Sequence, residues 1–157
     1  MTIQYLNKDI TTVDRGIIAH GCNTQGVMGS GVAKFLRDKY PSIFPRYAEI
    51  CAEFKDNPEH LLGDVVFEVI GEGLVVANCF TQHLYGRNGK FATADAIRDS
   101  LAVTYGVAGI LELPVYLPKI GAGRGGLDWD TEVEPIVREL SELAQDSINT
   151  YVCVWAE

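Results

Sequence analysis

Two glycine-rich loops contain the residues best suited to binding an anion. The first covers 20–33 and reads His-Gly-Cys-Asn-Thr-Gln-Gly-Val-Met-Gly-Ser-Gly-Val-Ala; the second covers 118–129 and reads Pro-Lys-Ile-Gly-Ala-Gly-Arg-Gly-Gly-Leu-Asp-Trp. Glycines at strand–helix junctions let backbone N–H groups converge on an anion, and the positive end of the following helix adds to the attraction. Two such loops in one chain predict a site for two phosphates, or for one diphosphate held from both sides.

The second loop also has the Gly121-x-Gly123-x-x-Gly126 spacing of dinucleotide-binding folds. That fingerprint opens a fold of two halves, whereas the pattern predicts only one helix and one strand after it, which disfavours a nicotinamide-dependent reductase. Neither loop ends in the Gly-Lys-Ser/Thr of a P-loop nucleotide hydrolase. A phosphate-binding loop is the interpretation that remains.

Alternating strand and helix patterns position both loops. Short apolar runs predict strands at 3–6, 16–20, 64–70, 74–80, 113–117 and 150–155, and helical spacing predicts helices at 32–40, 43–54, 93–105 and 133–144. This alternation predicts an α/β fold, a three-layer α/β/α sandwich with a mixed, mostly parallel central sheet. Both loops follow strand ends, and ligands of such folds bind at the carboxyl ends of the strands.

Composition limits the class of protein. The 157 residues predict one domain spanning 1–157, and 13 basic against 21 acidic residues give a net charge of −8, which disfavours binding to a nucleic-acid backbone. The four cysteines are far apart and form no CxxC pair, so neither a metal site nor a disulfide framework is expected. No signal peptide or membrane span is indicated. We therefore expect a cytoplasmic protein with no membrane partner, no sequence-specific nucleic-acid partner, no metal and no cofactor.

The chain resembles the macro domain family of ADP-ribose-binding proteins. It is most similar to the branch that contains the fungal ADP-ribose-1″-phosphate phosphatase and the hydrolases that remove ADP-ribose from glutamate or DNA. The resemblance covers nearly the whole chain. It rests on Ile-Gln-Tyr-Leu-Asn-Lys-Asp-Ile at 3–10, His-Gly-Cys-Asn at 20–23, Gly-Val-Met-Gly-Ser-Gly-Val-Ala at 26–33, Pro-Lys-Ile-Gly-Ala-Gly at 118–123 and Val-Cys-Val-Trp at 152–155.

The resemblance implies a set of ligand-binding residues. The Asp9 carboxylate would accept from the adenine amino group beside the Ile10 N–H, and Trp155 would pack near the adenine. The alternatives are a turn or N-cap aspartate and an ordinary core tryptophan. The implied contacts to the distal ribose and phosphates are Gly29, Ser30, Gly31, Val32 and Ala33 of loop one, Thr81 after a strand, and Ile120, Gly121, Ala122, Gly123, Arg124 and Gly125 of loop two.

Three residues are candidates for catalysis. His20 matches a histidine of the phosphatase branch and could protonate a leaving group or bind phosphate, or it could be a buried histidine satisfied at a strand end. Asn23 matches an asparagine that orients the distal ribose, or it only braces its loop. Asp128 could cap the following helix or activate a water.

The resemblance implies ADP-ribose or ADP-ribose-1″-phosphate as the ligand. The leading hypothesis is metal-independent hydrolysis of the terminal phosphate of ADP-ribose-1″-phosphate. The deconjugating relatives use a lysine nucleophile where this chain has Gln82, and Lys90 is a poor match for it. Removal of ADP-ribose from protein or nucleic acid, and binding of ADP-ribose without turnover, stay open as alternatives.

Overall fold

Strands and helices alternate along the chain as the sequence predicts. The computed structural model describes residues 3–85, 91–123, 125–144 and 148–155. Within them the strands are β1 (Ile3–Asn7), β2 (Gly16–Asn23), β3 (Val65–Gly71), β4 (Leu74–Gln82), β5 (Val115–Leu117) and β6 (Thr150–Val154). The α-helices are α1 (Gly31–Lys39), α2 (Pro45–Glu53), α3 (Ala94–Leu111) and α4 (Glu134–Leu143). Short 3₁₀ helices cover Ile10–Thr12, Pro41–Ile43 and Pro58–Leu61, and a π-helical turn covers Trp129–Val133.

One six-stranded sheet forms the middle layer, in the order β1-β6-β5-β2-β4-β3. All neighbouring strands run parallel except β3 and β4, which pair antiparallel. The tight connection at 71–73 explains the exception, because a short turn can join only antiparallel neighbours. The predicted mixed, mostly parallel sheet is confirmed.

Helices cover both faces of the sheet. Ile17 and Ala19 of β2 face a core that includes Ile97 of α3 and Val137 of α4. Ile18, the next side chain along β2, faces the opposite core, where α1, α2 and the 3₁₀ helix at Pro41–Ile43 pack. Strand residues buried on both faces account for the uninterrupted apolar runs in the sequence. The three-layer α/β/α arrangement is confirmed.

Several predicted boundaries are wrong; the helix predicted at 93–105, for example, continues as α3 to Leu111. The predicted second strand ended at residue 20, but β2 continues to Asn23, because β4 pairs with it along its whole length. The predicted helix at 43–54 begins later, with α2 at Pro45, where the proline occupies the first turn. The start of α3 is capped by Thr93, whose hydroxyl accepts from Ala96 N at 3.2 Å.

Loop two folds back on its own backbone. Leu127 N donates to Gly121 O at 2.9 Å, and Gly125 O accepts from Ala92 N at 3.0 Å just before α3 begins. A Cβ at Gly125 would lie 2.5 Å from Gly121 O, and one at Gly121, whose φ is +76°, would lie 2.5 Å from the Ile97 side chain. Glycine is therefore required at Gly125 by the close approach of two backbone segments, and at Gly121 by the positive φ and the contact with Ile97.

Gly125→Ala tests this packing. We expect it to lower the free energy of unfolding by about 1–3 kcal/mol, because the added methyl group forces the loop to shift. Gly106→Ala is the matched control, since a Cβ there meets no atom within 4 Å, and alanine in a helix is favoured by roughly 0.5–1 kcal/mol. Urea unfolding of both variants measures the difference, and equal stabilities would contradict the assigned packing.

Candidate active site

A cavity of about 830 Å³ lies between the two glycine-rich loops, at the carboxyl ends of β2, β4 and β5. This is the edge of the sheet at which the sequence places a ligand. The described residues that line it are Gly21, Cys22, Asn23, Val27, Gly29, Ser30, Gly31, Val32, Ala33, Lys34, Thr81, Gln82, Tyr85, Pro118, Lys119, Ile120, Gly121, Gly123 and Gly125.

The N-terminus of α1 forms one wall of the cavity. Gly31 has a φ of +64°, and Ser30 is extended and makes no side-chain cap to the helix. The first backbone N–H groups of a helix have no acceptor within the helix, so those at 31–33 are available to an anion. All five residues predicted in loop one line the cavity.

Loop two forms the opposite wall. Of the residues predicted to bind the ligand, Ile120, Gly121, Gly123 and Gly125 line the cavity, whereas Ala122 does not. Arg124, also predicted to bind the ligand, lies outside the described residues, as does Lys90.

The residues that line the cavity include two lysines, although the protein is acidic. Lys34 and Lys119 line the cavity, and no carboxylate and no histidine do so among the residues that the structure describes. Lys34 also pairs with Asp38 at 2.8 Å on the exposed face of α1. The two lysines were not among the predicted site residues, although Lys119 stands directly before Ile120 in the quoted second motif. Local charge here favours an anionic ligand despite the net charge of −8.

Asn23 both lines the cavity and braces loop one. Its Oδ1 accepts from Gln25 N at 2.9 Å and from the Tyr47 hydroxyl at 2.8 Å. Its Nδ2 donates one hydrogen to Val27 O at 2.8 Å. Because an amide nitrogen has two hydrogens, one donor is left for a ligand in the cavity.

His20 does not line the cavity. Its side chain is 1% exposed and lies in the core between the sheet and the helices α1 and α2. Asn78 Nδ2 donates to Ile43 O at 3.0 Å, so Asn78 Oδ1 is the acceptor for His20 Nε2–H at 2.6 Å. Burial lowers the pKa of His20 from 6.5 to about 4. A neutral imidazole held in this way does not fit the expected part as proton donor or phosphate ligand.

Asp128 is exposed and does not line the cavity. Its Oδ1 accepts from Asp130 N at 3.0 Å and from Thr131 N at 3.4 Å, at the start of the π-helical turn. This geometry matches the capping interpretation and does not bring the carboxylate to a ligand.

The residues expected near the adenine meet at the ends of β1 and β6. Lys8 N, which precedes Asp9, donates to Val154 O at 3.2 Å, so Asp9 and Trp155 follow adjacent strand ends. Asp9 Oδ1 caps the short helix by accepting from Thr11 N at 2.9 Å, which leaves Oδ2 for a ligand. Trp155 is 56% exposed, so the alternative of a core tryptophan is wrong. These residues and the buried Ile10 lie outside the lining of the cavity.

We also searched the described part of the chain for a metal site, a membrane-spanning helix and a nucleophilic thiol. No group of three or more metal-ligating side chains is found there, and none of its helices is long and apolar enough to cross a membrane. Cys22 lines the cavity, but burial raises the pKa of its thiol well above the ordinary value, which makes it a poor nucleophile.

The His20 environment predicts a pH dependence of stability. The folded-state pKa of His20 is about 4, below the ordinary 6.5. The contribution of the neutral imidazole to the free energy of unfolding is therefore complete above pH 6.5 and is lost as the pH falls toward 4. We expect His20 to account for a loss of up to about 3 kcal/mol in the free energy of unfolding over that window. Urea unfolding at pH 7 and pH 4.5 should show a smaller loss for His20→Gln than for the parent chain. His60→Gln, at an exposed histidine, should leave the pH dependence unchanged; a slope that both variants share with the parent would refute the assignment.

Comparison with known proteins supports the α/β fold described above. No family model matches the chain. The ADP-ribose 1″-phosphate phosphatase of Debaryomyces hansenii is 27% identical over 162 residues, covering 87% of each chain. The DNA ADP-ribosyl glycohydrolase of Mycobacterium tuberculosis is 28% identical over 153 residues, covering 90% of this chain but 39% of that enzyme.

A solved structure extends the comparison from sequence to fold. The macrodomain protein of Streptomyces coelicolor superposes with a TM-score of 0.79 and 28% identity, covering 99% of each chain. The resemblance expected from the loop sequences is thereby confirmed, and the chain has the fold of the macrodomains.

Proposed function

We propose that this chain binds ADP-ribose in the cavity and hydrolyses the terminal phosphate of ADP-ribose-1″-phosphate. The observation that supports this most is the cavity itself, about 830 Å³ between two glycine-rich loops, with Lys34 and Lys119 in its lining. Backbone N–H groups and ammonium groups are suited to phosphates. The similarity to the Debaryomyces hansenii phosphatase adds the terminal phosphate ester to the proposed substrate.

The strand order suggests how the ligand lies. The adenine would contact Asp9 and Trp155 at β1 and β6, and the diphosphate would lie between the loops that follow β5 and β2. The terminal ribose would then lie beside Asn23 and the end of β4. Neighbouring strands are about 4.8 Å apart, so four steps from β1 to β4 span roughly 19 Å of the ligand.

The chemistry proposed is transfer of a phosphoryl group to water. Water attacks the terminal phosphorus, the bond from phosphorus to the oxygen on C1″ breaks, and ADP-ribose and inorganic phosphate leave. The loop N–H groups and Lys119 would stabilise the charge on the transferring phosphate, and Asn23 would orient the ribose. Such reactions depend mainly on positioning and electrostatic stabilisation. In this proposal neither His20 nor Asp128 contacts the substrate. His20 stabilises the core against which β2 packs, and Asp128 caps the π-helical turn.

A glycohydrolase activity is less well supported. The position where relatives have a nucleophilic lysine is Gln82, which lines the cavity but donates from Nε2 to Leu84 O at 2.7 Å. An amide has no amine with which to attack the ribose carbon. Release of ADP-ribose from modified DNA or protein would favour this alternative.

Binding without turnover is the second candidate. It is favoured by the lining, which has no carboxylate and no histidine among the described residues to act as acid or base. A protein of this kind would bind ADP-ribose-type metabolites as a reader or sink. Tight binding with no product release would establish it.

We also propose a single domain and a cytoplasmic location. Cys22, Cys51, Cys79 and Cys153 are free and buried. Free thiols are typical of proteins from a reducing compartment.

Phosphate release from ADP-ribose-1″-phosphate tests the function. We expect release that persists in excess EDTA, because the proposed step uses no metal. Lys119→Gln should lower kcat/KM by roughly tenfold through loss of a charge-assisted contact. Added salt should lower kcat/KM of the parent more than that of the variant. Lys55→Gln, at an exposed lysine that does not line the cavity, is the control. Binding of ADP-ribose with no phosphate release would refute the proposed phosphatase activity and would favour binding without turnover.

A further inference from the structure

Tyr47 of α2 places a buried hydroxyl beside the start of loop one. Its ring is stacked on Phe80 of β4, with the centroids 5.6 Å apart. The hydroxyl lies 2.8 Å from both Asn23 O and Asn23 Oδ1, at the end of β2, and 3.4 Å from Val27 O. Burial raises the pKa of this hydroxyl above its ordinary value, so the group keeps its proton near neutral pH and acts as a donor.

The hydrogen bonds of Asn23 determine which way its side-chain amide faces. Oδ1 accepts from Gln25 N at 2.9 Å and from Val27 N at 3.4 Å, while Nδ2 donates to Val27 O at 2.8 Å. Exchange of the two atoms would set Nδ2 against the Gln25 N–H and Oδ1 against a carbonyl oxygen. The network therefore permits one orientation of the amide.

This orientation leaves Asn23 with a donor and no acceptor for a ligand. An amide oxygen has two lone pairs, and here the Gln25 N–H and the Tyr47 hydroxyl occupy them. Nδ2 has a second hydrogen besides the one donated to Val27 O, and Asn23 lines the cavity. The ligand atom that contacts this hydrogen must be an acceptor, such as a ribose or phosphate oxygen.

We propose that Tyr47 is a positioning residue for the ligand: its hydroxyl holds Asn23 Oδ1, so that the amide presents only an N–H group to an acceptor oxygen. This proposal rests on the proposed function. Without the hydroxyl, Oδ1 would lose one of its donors, and the amide could turn and offer the cavity an oxygen instead. An oxygen there would set its lone pairs against those of the ligand, which weakens binding.

The ring and the hydroxyl of Tyr47 have separate functions. The ring fills the core beside Phe44 and Phe80, and a phenylalanine ring would fill the same space. The hydroxyl extends from that core to Asn23. Tyr47→Phe therefore removes the contact with the amide while the packing of the ring is kept.

A double-mutant cycle tests the proposal. Tyr47→Phe should lower the affinity for ADP-ribose, measured by calorimetry, by roughly tenfold. Asn23→Ala should cause a similar loss. The double variant should lose no more than either single variant, because Tyr47 acts through Asn23. Asn23→Ser provides the same cycle if Asn23→Ala does not fold.

Tyr105→Phe is the matched control. Tyr105 is also buried, and its hydroxyl lies 2.6 Å from Thr150 Oγ1, but it belongs to the core on the opposite face of the sheet. Both tyrosine variants should lower the melting temperature, because each leaves a buried partner without its hydrogen bond. Only Tyr47→Phe should lower the affinity for ADP-ribose.

Three results would overturn the proposal. No loss of affinity in Tyr47→Phe, or the same loss with and without the Asn23 amide, would leave Tyr47 with a packing function only. An equal loss in Tyr105→Phe would assign the effect to general destabilisation. In each case the parent would still bind ADP-ribose and the proposed function would stand. A parent that does not bind ADP-ribose would refute both.

A second measurement needs no substitution, and it decides if Tyr47→Phe does not fold. NMR distinguishes the two Nδ2 protons of Asn23. In the parent, ADP-ribose should shift the resonance of the proton that faces the cavity and change little that of the proton bonded to Val27 O. Large shifts of both resonances would show that the amide turns on binding, which contradicts an amide held by Tyr47.

Discussion

The parallel pairing of β2 with β4 is the constraint on which the site depends. It runs from Gly16 opposite Leu74 to Asn23 opposite Gln82, with one bulge close to its end. This register aligns His20 with Asn78 in the core, and it brings Asn23 and Thr81 to one wall of the cavity. A shift of one residue would turn each side chain of β2 to the opposite face of the sheet. The same pairing therefore determines both the buried polar pair and the groups that a ligand meets.

The cavity shows how an acidic protein can bind an anion. The overall charge is −8, yet the described lining has two lysines and no carboxylate. Backbone N–H groups at the start of α1 act at contact distance, whereas distant surface carboxylates are screened by water and salt. For the ligand proposed here, the local arrangement would therefore outweigh the net charge.

Local sequence was enough to predict the fold and the loops, but not the state of the polar side chains. Glycine spacing and apolar runs are short-range signals, so the sheet class and the two loops could be predicted from them, whereas the individual residues of the site came from the family resemblance. His20 could not be assigned in this way, because its partner Asn78 lies 58 residues away and meets it only through strand pairing. Lys119 gave a signal only by standing inside the second motif, since nothing local shows that it lines a cavity.

The polar groups of the site also bear on how it could accelerate a reaction. The histidine is neutral in the core and Asp128 is used as a cap, so neither is held at the cavity. The described lining offers backbone N–H donors and an amide hydrogen of Asn23, neither of which takes a proton from water, together with the side chains of Lys34 and Lys119. Such a set is suited to stabilising charge on a phosphoryl group that is transferred with little help from a base. It is poorly suited to cleaving a glycosidic bond, which needs an acid or a covalent nucleophile. Within the described residues, the geometry therefore favours a phosphate ester over a glycosidic conjugate as substrate, and binding alone as the remaining possibility.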